Sequence, residues 1–326
     1  MLILTREDVR ALLDPRKLVD VLGHAMADLS AGRASMPERI AADVSEHGGR
    51  LFAMPAFVPS LAALESKLVT LFPNNSDRPT HQAVIVCFEP ENGTPAVLMD
   101  ASYITEMRTA AGSALATRLL ARVDATTLVV LGTGVQARSH ARLVIRERRF
   151  EQVLIWGRDP AKAARVAAEL SDEMGQEIGT VLHVRPALEQ ADVICAATHS
   201  AEPVVSREWI RAGTHINSIG YNTAGREIDA GTVSQALIVV ESRAAALALP
   251  PSGSNDLLWP IRDGIIEENH IHTEIGEIVS GLARGRTSPD QITLYKSVGV
   301  AVQDAAAAAL VLEAAREHGR GTELDL

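Results

Sequence analysis

The segment that most restricts the fold is Leu128-Val129-Val130-Leu131 running into Gly132-Thr133-Gly134-Val135-Gln136-Ala137. A short apolar run ahead of G-x-G-x-x-A reads as a buried strand turning sharply into a helix. Gly132 permits the tight turn, Gly134 lets the backbone approach a ligand, and Ala137 keeps helix and strand close. The context matters more than the motif. Strand-like runs at 127–131, 153–156, 181–184, 193–197, 215–219 and 237–241 alternate with helical stretches, notably 136–148 and 160–174. Such alternation predicts a parallel sheet with helices on its faces.

The first third reads differently. Thr5 with Asp8 forms a capping-box pattern, and 15–30 carries Leu18, Val19, Leu22, Met26 and Leu29 at helical spacing. Strand-like runs follow at 51–54, 66–71, 83–88 and 96–99, the last two joined by a turn containing Pro90 and Asn92-Gly93. A mainly antiparallel α+β domain is the economical assignment. The stretch 104–122 reads as a long Ala-rich helix, and a further helix occupies the last ~25 residues. The expected class is α/β: a Rossmann-type parallel-sheet domain over 119–301, plus an α+β substrate-binding and dimerisation domain formed by 1–118 with 302–326.

In the strand–turn–helix context the glycine turn implies a dinucleotide. Amides at the helix start, around Gly134, Val135 and Gln136, supply donors and partial positive charge for a pyrophosphate. The tip of the next strand selects the ribose. A carboxylate there takes both hydroxyls of NAD, whereas an arginine suits the 2′-phosphate of NADP. Gly157 stands at the expected acidic position and Arg158 follows, which favours NADP(H) over NAD(H). Asp159 is a competing acceptor, but an Asp before Pro160 also suits a helix start.

Composition narrows the partners. Lys+Arg total 31 against 41 Asp+Glu, a formal charge of −10, and no basic run stands out. A nucleic-acid or anionic-membrane surface is not expected. No stretch approaches the ~18 apolar residues of a membrane span. With two cysteines, Cys87 and Cys195, both in apolar runs, a disulfide framework is not expected and a reducing, cytoplasmic setting is. His270 and His272 bracket Ile271 without a clear third ligand, so they read as a polar loop and no metal site is expected.

Three basic residues precede the glycine turn: Arg39 beside Met36-Pro37, Lys67 within an apolar strand, and Arg108 at the head of an Ala-rich helix. Lys67 stands out because a strand rarely turns a lysine inward without an anionic partner. Arg108 could meet a carboxylate bidentately. These residues fall in a longer series: 67–75 (KLVTLFPNN), 80–83 (THQA), 108–111 (RTAA), 132–137 (GTGVQA), 215–220 (HINSIG) and 296–299 (KSVG). In order and spacing the series resembles the ornithine cyclodeaminase/mu-crystallin family over nearly the full chain. The mu-crystallin branch is the more similar, on Phe88-Glu89-Pro90 with Asn92-Gly93 and on Ile155-Trp156 before Arg158.

The resemblance implies a homodimer without nucleic-acid or membrane partners, acting on small imino or amino acids. It implies that Arg39, Lys67 and Arg108 hold a substrate carboxylate, with Asn222 and Val298 nearby. Thr80, His81, Arg108 and Thr109 would lie along the cofactor, and Thr198, Asn217, Ile219 and Ser297 at its nicotinamide end. Two positions depart from the cyclodeaminase pattern: Asn222 replaces an Asp that handles the ornithine amine, and Phe52 replaces a Glu. Asn cannot act as a carboxylate base. The expected activity is therefore NAD(P)H-dependent reduction of a small, cyclic α-imino acid by hydride transfer at the α-carbon, with Lys67 as general acid. The alternatives are an ornithine cyclodeaminase-type ammonia lyase and a non-catalytic NADP(H) or small-ligand binder.

Overall fold

The computed structural model describes residues 1–250 and 252–325. It divides into two compact units: Met1–Arg108 with the chain from Gly299 onward, and Thr109–Val298. Both divisions fall before the sequence-based boundaries at 118/119 and 301/302. The first lies inside a continuous helix, where no composition shift marks it.

The chain opens with β1 (Leu2–Leu4), α1 (Arg6–Leu12) and α2 (Pro15–Ser30). Thr5 caps α1 in a reciprocal box with Asp8, and Asp14 caps α2 by accepting from the Arg16 amide at 2.8 Å. Then come β2 (Ile40–Val44), β3 (Gly49–Val58), β4 (Ala63–Leu71), β5 (His81–Phe88), β6 (Pro95–Asp100) and the helix α3 (Ser102–Leu120). Gly93, at φ 75°, closes the hairpin between β5 and β6.

The second unit runs β7 (Thr127–Leu131), α4 (Val135–Val144), β8 (Gln152–Trp156), α5 (Pro160–Met174), β9 (Gly179–Thr180), α6 (Val184–Leu188), β10 (Val193–Ala196) and β11 (His215–Ser218). It continues through α7 (Ala230–Gln235), β12 (Leu237–Val240), α8 (Arg243–Leu247), α9 (Asn255–Arg262), β13 (Thr273–Glu274), α10 (Ile275–Val279) and β14 (Thr293–Lys296). The chain then returns to the first unit as α11 (Ala301–His318) and β15 (Thr322–Glu323).

The first unit holds a seven-stranded sheet in the order β15-β1-β6-β5-β4-β3-β2, antiparallel except where β1 joins β6. Helices α2 and α11 pack together, and α11 lies on β3 and β4. Ala305, Ala306, Ala307 and Ala308 of α11 are all buried. Such small side chains let a helix lie close to a sheet, which brings a short polar side chain of the helix within reach of a strand.

The second unit's sheet has eight strands, all parallel, in the order β13-β12-β14-β11-β10-β7-β8-β9. Its core is aliphatic: Val129, Leu131, Ile194, Ile216, Ile238 and Leu294 lie on neighbouring strands and are fully buried. The expected strand at 181–184 is corrected. Pairing ends at Thr180, and Val184 instead begins α6, whose Pro186 falls in the first helical turn, where a missing N–H costs little. Val181 and Val184 pack against the core while Leu182 faces outward, so their apolarity serves packing rather than a ladder.

Both cysteines are free thiols and buried, and burial pushes Cys195 up to about 12. His270 ends a short 3-10 turn, Glu268–His270. Among the described residues, no helix is long and apolar enough to cross a membrane.

Candidate active site

The three basic residues singled out from the sequence come together in the first unit. Lys67 lies on the inward face of β4 with 1% exposure, and its Nζ donates to Oδ2 of Asp304 at 2.7 Å. The same carboxylate accepts from Arg108 Nε at 3.1 Å through Oδ1, so one buried anion holds two buried cations. Arg108 Nη1 donates to Oε1 of Gln303 at 2.9 Å, and that amide oxygen also accepts the Val300 N–H at the start of α11. Arg39, half-buried, donates from Nη2 to the carbonyl of Gly299 at 2.8 Å. Gly299 sits at φ 75°, and a Cβ there would lie 2.7 Å from Arg108 Nη1. Glycine is therefore required on both counts, since it adopts the left-handed conformation and leaves room for the guanidinium.

Burial lowers the Lys67 ammonium to about 8, with Arg108 pressing the same way and Asp304 opposing. Burial alone would raise Asp304, but Arg108 and Lys67 together hold it below the ordinary carboxylate range. Glu65, two residues before Lys67 and on the same face of β4, is also buried, and neither of its oxygens has a hydrogen-bond partner. Burial first and Asp304 second push its pKa well up, with Lys67 opposing. Two buried cations, Lys67 and Arg108, thus converge on one hydrogen-bonded carboxylate, Asp304.

The missed residues are Asp304, Gln303 and Glu65. The signal for the first two was present: a polar pair at the head of a helix otherwise built from Ala, Val and Leu. Thr80 and His81 stand at the start of β5, the hydroxyl 3.1 Å from the ring Nδ1, with His81 exposed. Thr109 follows Arg108 in α3 and is buried.

The second unit carries the glycine turn. Gly132 has φ 120°, and a Cβ there would meet the Ala197 carbonyl at 2.5 Å, so no other residue fits. Gly134 caps α4 without any side-chain cap, and a Cβ on it would meet nothing within 4 Å. The first-turn amides of α4, around Val135 and Gln136, thus face open space, as a pyrophosphate requires. These residues fit a dinucleotide.

At the tip of β8, a Cβ on Gly157 would lie 2.6 Å from Thr133 Cγ2, so an acidic side chain there would require the threonine to move. Asp159 is engaged as the cap of α5, accepting from the Lys162 amide at 3.1 Å. Arg158 is exposed and makes no hydrogen bond or ion pair among the described residues.

The remaining expected residues divide. Thr198, Ile219 and Ser297 lie just beyond or at the ends of β10, β11 and β14, the edge of a parallel sheet where ligands bind. Ser297 Oγ and the Val298 N–H both donate to buried Glu241, at 2.6 and 2.9 Å. Asn217 lies on β11 itself. Its side chain, with no exposed surface, is bound to His215, Thr117 and Cys195 and braces the sheet interior. Asn222 is also engaged: it donates to the His199 carbonyl at 3.0 Å and accepts from the Ala224 N–H at 2.8 Å, which fixes its own loop.

Comparison with known proteins agrees with this geometry. Residues 1–319 match the ornithine cyclodeaminase/mu-crystallin family. The chain is 33% identical over 329 residues, 100% of both sequences, to a Delta(1)-pyrroline-2-carboxylate reductase of Bacillus cereus. It is 35% identical over 302 residues, 91% of each, to the ketimine reductase mu-crystallin of Mus musculus. Among solved structures it is similar to Thermococcus litoralis Delta(1)-pyrroline-2-carboxylate reductase in complex with NADH and L-proline. That similarity has a TM-score of 0.93 at 39% identity and covers 99% of this chain and 100% of the other. The chain therefore belongs to the ornithine cyclodeaminase/mu-crystallin family.

Proposed function

We propose that this chain reduces a small cyclic α-imino acid, with Δ1-pyrroline-2-carboxylate as the leading candidate, to the corresponding α-amino acid. The observation that carries the reading is the pair of buried cations, Lys67 and Arg108, around one buried carboxylate, Asp304, with Arg39 alongside at Gly299. A substrate carboxylate complements these cations and can be bound in one orientation by the planar guanidinium groups. The nicotinamide coenzyme supplies the hydride. Lys67 supplies the proton: an iminium accepts hydride more readily than a neutral imine, and an ammonium near pKa 8 is a competent donor near neutrality.

The relatives named above are reductases of this kind of bond, and Asn222 and Phe52 favour it over ornithine cyclisation. A screen of NADPH and NADH consumption separates the readings. Pyrroline-2-carboxylate and piperideine-2-carboxylate should be reduced, while ornithine should release no ammonia. The opposite pattern would establish the lyase, and coenzyme binding with neither activity would establish a binder.

For the coenzyme, NADPH is the preferred form in this proposal. Arg158 is exposed and uncommitted, Asp159 is committed to the α5 cap, and position 157 is a glycine packed against Thr133. Losing one charge-assisted contact costs about 1.5–3 kcal/mol. Arg158→Ala should therefore raise the KM for NADPH by roughly 10- to 100-fold and leave that for NADH nearly unchanged. Equal effects on both coenzymes would remove Arg158 from selection.

The homodimer expected from the family is assigned here to the outer face of the seven-stranded sheet. Ile40, Leu68 and Val84, with Ala53 between the first two, form one cross-strand row, and Leu51 lies on the same face. They are 70%, 37%, 39% and, for Leu51, 40% exposed, an apolar patch on this face of the sheet. Leu68→Glu should convert a dimer to monomers in sedimentation velocity. An unchanged dimer would place the interface elsewhere.

A further inference from the structure

A second buried ionic network lies in the parallel-sheet unit, and the cluster around Lys67 does not use it. Glu227 accepts four hydrogen bonds: from the Thr198 N–H (3.1 Å) and hydroxyl (2.9 Å), from Ser218 Oγ (2.9 Å) and from the Gly220 N–H (2.6 Å). Lys296 Nζ binds Asp256 Oδ2 at 2.8 Å, Ser218 Oγ at 3.0 Å and the Gly220 carbonyl at 2.8 Å. Asp256 in turn accepts the backbone N–H groups of Glu227 and Ile228. Glu227, Asp256, Lys296 and Ser218 are each at most 2% exposed. Gly220 is dictated by this packing, because a Cβ there would sit 2.3 Å from the Glu227 carboxyl carbon.

Topology says what the network supports. The glycine turn follows β7, the ribose-selecting tip follows β8 on one side, and β10 and β11 lie on the other. A dinucleotide whose pyrophosphate sits on the α4 terminus and whose adenosine lies toward β8 extends its nicotinamide toward the ends of β10 and β11. Those ends are Ala197–Thr198, against Gly132, and Ile219–Gly220. Both are held directly by the Glu227 carboxyl.

We propose that Glu227 is a positioning residue that sets the charge behind the nicotinamide and thereby couples proton binding to the choice between oxidised and reduced coenzyme. This inference rests on the dinucleotide reading above. Lys296 and Asp256, the charged groups facing Glu227 from β14 and α9, cancel each other as an ion pair. The network is therefore neutral when Glu227 is protonated and carries one negative charge when it is ionised. Burial raises Glu227 to about 7, with Asp256 adding to the shift and Lys296 opposing it, so both states are populated near neutrality.

The oxidised nicotinamide ring is cationic and the reduced ring is neutral. An ionised Glu227 favours the first, and a protonated Glu227 does not. By linkage, binding the oxidised coenzyme lowers the Glu227 pKa and expels a proton. At acidic pH the same group lessens inhibition by the oxidised product, which suits a reductase.

The test is isothermal titration of NADP⁺ and NADPH into the intact protein one pH unit either side of about 7, in buffers of different ionisation enthalpy. NADP⁺ affinity relative to NADPH should rise on the order of tenfold across that range. NADP⁺ binding should release protons near pH 7 and NADPH binding should not. Glu227→Gln should flatten the ratio and abolish the release, whereas Glu227→Asp should keep a release with a moved midpoint. A purely structural role predicts no such difference. Wild-type protein that releases no proton, or a Gln variant with unchanged pH dependence, would overturn the proposal, and the wild-type arm stands even if a variant fails to fold. Failure of both coenzymes to bind would instead overturn the dinucleotide reading and this inference with it.

Discussion

Replacing Lys67 by alanine should slow reduction of the cyclic imine by at least ~10²-fold, the range for loss of a general acid. Thermal stability should change far less, because the variant also removes a buried cation from the repulsion of Arg108. The wild-type pH profile should carry the same signature. The donor is the ammonium, so its fraction is high below about 8 and falls roughly tenfold per pH unit above that value. Reduction should therefore decline on the alkaline side, while the reverse oxidation, which needs the neutral amine, should rise there. Steady-state kcat/KM across pH checks both. A Lys67→Ala enzyme with near-wild-type turnover would assign the proton to water.

The second large effect concerns Asp304. Its carboxylate is completely buried and is bound by both Lys67 and Arg108. Removing one partner of a buried ion pair costs ~3–5 kcal/mol, because the other charge is left without compensation. In Asp304→Asn, Lys67 can shed its proton once the anion that supports it is gone, but Arg108 cannot. The cost should therefore fall on Arg108. Urea unfolding should show a lower midpoint at unchanged slope, by ~3–5 kcal/mol, and turnover should be lost with it. A double variant, Asp304→Asn with Arg108→Met, should recover much of the stability but none of the activity. Full stability in the single variant would mean that the ion pairs contribute little to the fold.

These effects show where sequence reading succeeds and where it stops. Signals confined to a few neighbouring residues were legible. Asp159-Pro160 starts α5 where the N-cap rule places it, and the apolar spacing over 15–30 marks α2. The glycine turn and the parallel alternation around it were equally readable, since each strand is a local apolar run. The run at 181–184 misled because apolar residues that pack on a sheet face look the same as residues that extend it.

Long-range pairing was not legible. Lys67 could be seen to need an anion, but its partner lies 237 positions away in the sequence, and the Arg108 contact spans 196. Asp304 looked like a polar interruption in an Ala-rich helix. Only the fold places it over β4. Asn217, placed at the nicotinamide end by the family resemblance alone, has its amide taken up by His215 and Thr117 inside the sheet, contacts that no local pattern announces. The Glu227–Lys296–Asp256 network combines both difficulties, being polar, interior and assembled from separate segments.

The central claim is that hydride passes to the α-carbon of an imino acid bound by the Lys67–Arg108 cluster. Its most direct test is turnover of Δ1-pyrroline-2-carboxylate with NADPH deuterated at the transferable position of C4, followed by mass spectrometry and NMR of the product. The account predicts one deuterium, at the α-carbon of a single enantiomer of proline, and none at other carbons. Proline without label, label elsewhere in the ring, or no coenzyme consumption at all would contradict it.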